Sequence, residues 1–285
     1  MTIDDACVSC IINQSVRVAN AIHASVPLTE KLKSTVTKMS ETFSYDDAPP
    51  EIASYVYEEM ARIAKKTDLY DEVKELSTKK ALSFVPFLKE HIATSGNKLL
   101  LATKIAVAGN VIDLAAEVEF DLDEELEKIF HTDFTHDDFT LLREKLSSAK
   151  RVLVIGDNVG EHIFDYLFLE TLRELYPYAS YFYMVRGNPI INDVTVKEAV
   201  EAGFEKICEV VDSGVNTPGF AYSRANVYSK ELFDSVDLVI SKGMGNYECM
   251  SPSHRSDICF LLKVKCGVVA ASLQKEVGDI ICKMV

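Results

Sequence analysis

The rhythm of polar and apolar positions changes once along this chain, near Lys150. Before it, apolar residues recur at helical spacing, as in Ile52, Val56, Met60, Ile63 and Ala64 after the Pro49–Pro50 break. Proline suits the first turn of a helix, so one is predicted to begin there. Similar patterns predict helices over 7–25, 28–43, 69–93, 97–118, 123–130 and 136–148, with no convincing strand. After Lys150, short apolar runs alternate with helical stretches. Strands are predicted at 151–155, 180–185, 206–211, 236–240 and 258–264, and helices near 160–175, 194–203, 225–233 and 270–282. This alternation predicts an α/β fold built on a doubly wound, mostly parallel sheet with right-handed crossovers. The expected architecture is an all-helical domain over 1–148 joined to an α/β catalytic domain over 149–285.

Three of the predicted strands run into polar, glycine-bearing loops. The first gives Gly156-Asp157-Asn158-Val159-Gly160-Glu161, the second Arg186-Gly-Asn-Pro-Ile-Ile-Asn192-Asp193-Val-Thr195, and the third Ser241-Lys242-Gly243-Met-Gly245-Asn246. Strand ends of this kind gather on one edge of a parallel sheet. Asp157, Asn158 and Asp193 would there offer oxygen ligands to a hard cation and leave positions open for water and substrate. Lys242, beside two glycines whose N–H groups suit an anion nest, could balance phosphate charge. Arg186 could meet the same anion or pair with a neighbouring acid. Ser213, in the loop after the third strand in sequence, could face substrate or belong to a long turn.

Other readings of these residues are ordinary. Asp157, Asn158 and Asp193 also suit helix N-caps. Asn110 and Asp113 share one helix face; they either cap a neighbouring helix or reach into the cleft. The loop at 156–161 fails as a dinucleotide fingerprint, and the loop at 241–246 lacks P-loop spacing. Cys7-Val-Ser-Cys10 lacks the further ligands of a zinc site at convincing spacing, although Cys266 is a possible third thiol. Such cysteines are equally well small packed side chains.

Bulk properties narrow the field. The net charge is −14, with 26 acidic against 17 basic residues in 1–150 and 18 against 13 in 151–285, so no basic stripe marks a nucleic-acid partner. The apolar stretch from Leu99 to Ala116 is broken by Lys104, Asn110 and Asp113 and reads as a buried helix, not a membrane span. Seven scattered cysteines make no disulfide framework, and Asp4 and Asp5 do not open a secretory signal. A cytoplasmic protein is expected.

Taken together, Gly156-Asp157-Asn158-x-Gly160-Glu161, Arg186-Gly-x-Pro189-Ile-x-Asn192-Asp193-Val-Thr195, Ser241-Lys242-Gly243-x-Gly245-Asn246-Tyr247-Glu248 and Gly109-Asn110-x-x-Asp113 resemble the metal-dependent damage-control phosphatases, long filed as domain of unknown function eighty-nine. The motifs occur in the family's order. The short length and the Cys7/Cys10 pair resemble its stand-alone prokaryotic branch. The resemblance implies a helical domain joined to a Rossmann-like domain. It implies a divalent ion (magnesium, manganese, cobalt or nickel) on Asp157, Asn158 and Asp193, with Lys242 on the phosphate. It places Asn110 and Asp113 in the substrate pocket, where Arg186, Ser213, Gly243 and Asn246 are expected to assist. The expected activity is hydrolysis of small phosphomonoester metabolites such as sugar phosphates and phosphopantetheine- or nucleotide-like compounds. Two competitors are an S-adenosylmethionine-dependent methyltransferase, suggested by the strand leading to Gly-Asp, and a non-catalytic phosphometabolite sensor.

Overall fold

The computed structural model describes residues 1–109, 130–131, 133–251 and 255–285. Five helices open the chain: α1 (Asp5–Ala21), α2 (Val26–Ser40), α3 (Pro49–Ala64), α4 (Asp71–Thr94) and α5 (Lys98–Ala108). Asp4 caps α1 by accepting from the Cys7 N–H at 3.0 Å, and prolines occupy the first turns of α2 and α3. Residues 123–129 of the predicted helix at 123–130, the end of that at 97–118, and both Asn110 and Asp113 lie outside the described residues.

The rest alternates: β1 (His136–Asp137), α6 (Phe139–Ser148), β2 (Arg151–Ile155), α7 (Glu161–Leu175), β3 (Ser180–Val185), α8 (Val196–Glu201), β4 (Glu209–Asp212), α9 (Val227–Ser235), β5 (Leu238–Lys242), α10 (Gly243–Met250), β6 (Ile258–Lys263), α11 (Gly267–Leu273) and β7 (Ile280–Met284). The strands form one sheet in the order β1-β7-β6-β5-β2-β3-β4. Neighbours are parallel throughout except β6 and β7, which pair antiparallel. The fold is therefore α/β with a mostly parallel sheet.

Two predicted elements are corrected. The helix expected over 270–282 ends at Leu273, where Gln274 turns left-handed at φ +55°, and the Gly278 turn sends Ile280–Met284 back as β7 beside β6. The helix expected from 136 begins at Phe139, because His136 and Asp137 pair with Ile281 and Cys282.

Two-residue alternation distributes the strands between two cores. Val152, Val154, Tyr181, Tyr183, Leu238 and Ile240 meet buried residues of α4, α5, α6 and α7. Leu153, Ile155, Phe182, Met184, Val239 and Phe260 meet α9, α10 and α11. Burial on both faces is why these strands read as continuous apolar runs. The first of these cores is continuous across residue 148. A third core joins α1, α2 and α3, with Ile190 inserted from the loop after β3. Among the described residues no helix is long and apolar enough to cross a membrane.

Candidate active site

Chain order reverses beside β2: β3 and β4 follow on one side, while β5 lies on the other. Such a switch point opens a crevice beyond the strand ends, and Asp157 and Asn158 stand there. Backbone bonds bring the next loop to them. Val194 N–H donates to Asp157 C=O at 2.9 Å, Val159 N–H donates to Asn192 C=O at 2.8 Å, and Asn158 and Asp193 form an isolated antiparallel bridge. The two acids predicted to share a site are thus stitched together by main chain.

The acids are poorly solvated and mutually repelling. Asp157, Asp193 and Glu161 are all buried. Asn158 donates through Nδ2 to Asp157 Oδ2 at 2.9 Å and to Glu161 Oε1 at 3.0 Å. Burial, with the Asp157 charge second, pushes the Glu161 carboxyl up to about 7. Burial likewise pushes Asp193 up to about 7 against the pull of Arg186, and raises Asp157. Arg186 is fully buried. Its Nε donates to Asp193 Oδ2 at 2.7 Å, its Nη2 lies 3.9 Å from Asp157 Oδ1, and neither Nη1 nor Nη2 has a hydrogen-bond partner. It fixes the acids without neutralising all three.

The remaining predicted residues support this arrangement from outside the cavity. Lys242 is fully buried, donating through Nζ to Asp165 Oδ1 at 2.5 Å and to Ala106 C=O at 2.6 Å. Burial alone would lower its pKa, but Asp165 and Glu161 hold it above the usual lysine value. Asn246 is spent on main chain: Oδ1 accepts from Phe220 N–H, and Nδ2 donates to Gly156 C=O and Lys242 C=O. Ser213 is buried, with its N–H bonded to Val185 C=O. Gly243 has φ +77°, and a Cβ there would lie 1.9 Å from Asp157 Oδ2. Gly243→Ala is expected to displace that carboxylate. It should cost on the order of 2–3 kcal/mol of stability in denaturant titration and about 10²-fold in turnover.

Asp157, Asn158 and Asp193 open onto a cavity of about 470 Å³. Its other walls come from α1, α3, the start of α10 and the loop after β6, bringing Arg17, Tyr57, Glu248 and Lys265 to the same space. Cys7 and Cys10 line it too, with Cys266 from far along the sequence. Sequence reading missed Lys265, whose ammonium makes no ion pair or hydrogen bond among the described residues, yet whose charge is felt by Asp157 and Glu161. Its place just beyond β6 was a signal of the same kind as the three loops noted. Glu161, assigned no role, was visible in the first motif.

The damage-control phosphatase ARMT1-like domain matches residues 3–281. The chain belongs to this family. Among ARMT1-like relatives, the damage-control phosphatase PH1575 of Pyrococcus horikoshii is 32% identical over 284 residues, covering 99% of this chain and 98% of that protein. A damage-control phosphatase of Archaeoglobus fulgidus is 28% identical over 291 residues and covers both chains fully. A crystal structure described as a DUF89 family protein from P. horikoshii superposes with a TM-score of 0.92 at 30% identity, covering 100% of this chain and 99% of that one.

The donor set at the centre of this ARMT1-like fold fits a hard divalent cation. Two buried carboxylates, Asp157 and Asp193, lie against one guanidinium, a third, Glu161, is joined to them through Asn158, and the available ligands are oxygens. Among the described residues no group of three or more His, Cys, Asp or Glu side chains is arranged to hold an ion by itself. An ion would therefore draw on Asp157, Asp193, the Asn158 amide oxygen, water and substrate.

Proposed function

We propose that the protein is a phosphatase that uses a divalent metal ion to hydrolyse small phosphomonoester metabolites in damage control. Sugar phosphates and phosphopantetheine- or nucleotide-like compounds are the classes intended. The observation that carries this reading is the meeting of Asp157, Asn158 and Asp193 at the switch point, on the wall of a cavity that also receives Lys265. The names of the two archaeal relatives support it. A magnesium, manganese, cobalt or nickel ion held by Asp157, Asn158 and Asp193 would polarise a phosphoryl oxygen and acidify a water. Lys265 brings an unpaired ammonium to the same cavity and would balance the phosphoryl oxygens. Arg186 keeps Asp193 aimed, and Lys242 supports the site through Asp165 and the end of α5. In the overall step, water oxygen bonds to phosphorus, the ester P–O bond breaks and the alcohol leaves protonated.

The test is phosphate release from para-nitrophenyl phosphate, sugar phosphates, nucleotides and phosphopantetheine, with each metal supplied or chelated. Release that requires metal is the expected result. Silence of well-folded protein across the panel with every metal would sink the reading and favour a phosphometabolite sensor.

Glu248 gives a separate pH signature. Burial pushes its carboxyl up to about 7, from 4.5 when unconstrained. The folded chain then holds a proton that the unfolded chain releases, so this stability is present below pH 4.5 and lost as pH rises through 7. Glu248→Gln is expected to be more stable than the parent at pH 8, by up to ~3 kcal/mol, with the difference vanishing near pH 4.5. Urea titrations at the two pH values check it; equal differences at both would refute it.

A further inference from the structure

One face of α1 lines the active-site cavity with Cys7, Cys10, Gln14 and Arg17, spaced three, four and three residues apart. This wall belongs to the helical bundle and lies on different elements from the loops that carry Asp157 and Asp193. Two of its groups are already organised. Tyr57, buried at 4% exposure on α3, donates its hydroxyl to Gln14 Oε1 at 3.0 Å, and both residues face the cavity. Beside them Arg17 is solvent-exposed and forms no ion pair or hydrogen bond among the described residues. The chain carries 44 acidic against 30 basic residues, so carboxylate partners for a surface arginine are plentiful. Arg17 nevertheless lacks one, next to a fixed amide–phenol pair. Much of the remaining wall is apolar, including Pro49, Pro50, Ile191 and Val268.

An unpaired guanidinium suits an anion, because its fork matches carboxylate and phosphate oxygens, and Tyr57, whose proton is spent on Gln14 Oε1, holds the amide beside it in place. Lys265 is among the charges acting most on Asp157, whereas Arg17 is not among those acting most on Asp157 or Asp193, which sets it apart from the place of the first phosphoryl group. We propose that Arg17, with Gln14 and Tyr57, forms a second anion subsite, so that favoured substrates are phosphomonoesters whose leaving group has an apolar middle and ends in a carboxylate or a second phosphate. This rests on the phosphatase reading, which supplies the first anion.

The test uses alkyl phosphonates, which lack the scissile ester, in a series of two to six methylenes ending in methyl, carboxylate or phosphonate. Binding is measured by calorimetry with manganese present, for the parent, Arg17→Gln and Arg17→Lys. At the best-fitting length the parent is expected to bind an anion-ended compound about tenfold more tightly than its methyl-ended match. Arg17→Gln should bring that ratio close to one, and Arg17→Lys should restore part of it. The preferred terminal group separates carboxylate from phosphate as the natural second anion. A parent without preference, or a preference that survives Arg17→Gln, overturns the subsite. Turnover of the matching phosphate esters is followed in parallel, where the same preference should appear in KM more than in kcat. Selective binding without any turnover would leave the subsite standing and remove the phosphatase reading instead.

Discussion

Asp157→Asn is expected to lower metal-dependent phosphate release by about 10³-fold or more, because it removes a charged oxygen ligand from the centre of the site. The side chain keeps its size, and the main-chain bond from Val194 N–H to Asp157 C=O is untouched. The variant should therefore fold, and without metal it should be at least as stable as the parent, since one of three crowded buried carboxylates has lost its charge. Stabilisation of the parent by manganese should be absent from the variant, because an ion that binds only the folded state raises its stability. Unchanged turnover in a folded variant would remove Asp157 from the chemistry. A phosphoryl group trapped covalently on Asp157 of the parent would replace direct attack by water with an acyl-phosphate route.

Lys242→Met is expected to be the most damaging single change to stability, costing ~3–5 kcal/mol. It strands Asp165, which is fully buried and otherwise accepts from Tyr183 Oη at 2.9 Å, and it leaves Ala106 C=O without its lysine donor. The double variant Lys242→Met, Asp165→Leu removes both charges and should recover most of that loss, because two matched apolar groups leave no uncompensated charge. Chemical denaturation of the parent, Lys242→Met, Asp165→Leu and the double variant gives the coupling between the residues. The double variant also addresses the role expected of Lys242 from sequence. Turnover within about tenfold of the parent would mark it as a positioning residue, whereas a loss above 10²-fold in a stable protein would return it to the phosphate.

The difficulty of ranking the lysines from sequence has a definite physical origin. A lysine at the end of β5, beside two glycines, has the local chemistry of a phosphate contact. Alternation along the strand turns its side chain inward: Leu238 and Ile240 point into the core shared with α5 and α7, and Lys242 has the same parity. Lys265, outside the strand, is not bound by that rule. The central strands were legible because both faces are buried, and the pairing of Asp157 with Asp193 followed from their loops sharing a sheet edge. β7 was not legible, because its short apolar run at Ile280, Ile281 and Cys282 closely follows a helix that was expected to continue through the polar segment 274–279. The wall supplied by α1 was invisible for another reason: its cavity-facing residues meet the loops of Asp157 and Asp193 only through tertiary folding, across some 140 positions of sequence.

The division between cores has a consequence for how such a protein could be altered. The acids rest on the core of the sheet, whereas α1 and α3 rest on a core of their own, joined to the sheet side through Ile190. Substitutions on the cavity-facing side of those helices therefore need not disturb the packing beneath the acids. A combinatorial library confined to Cys10, Gln14, Arg17 and Ala53 would redraw the outline of the cavity while leaving the packing beneath Asp157 and Asp193 in place. The molecule is in effect a fixed tool with an interchangeable jaw.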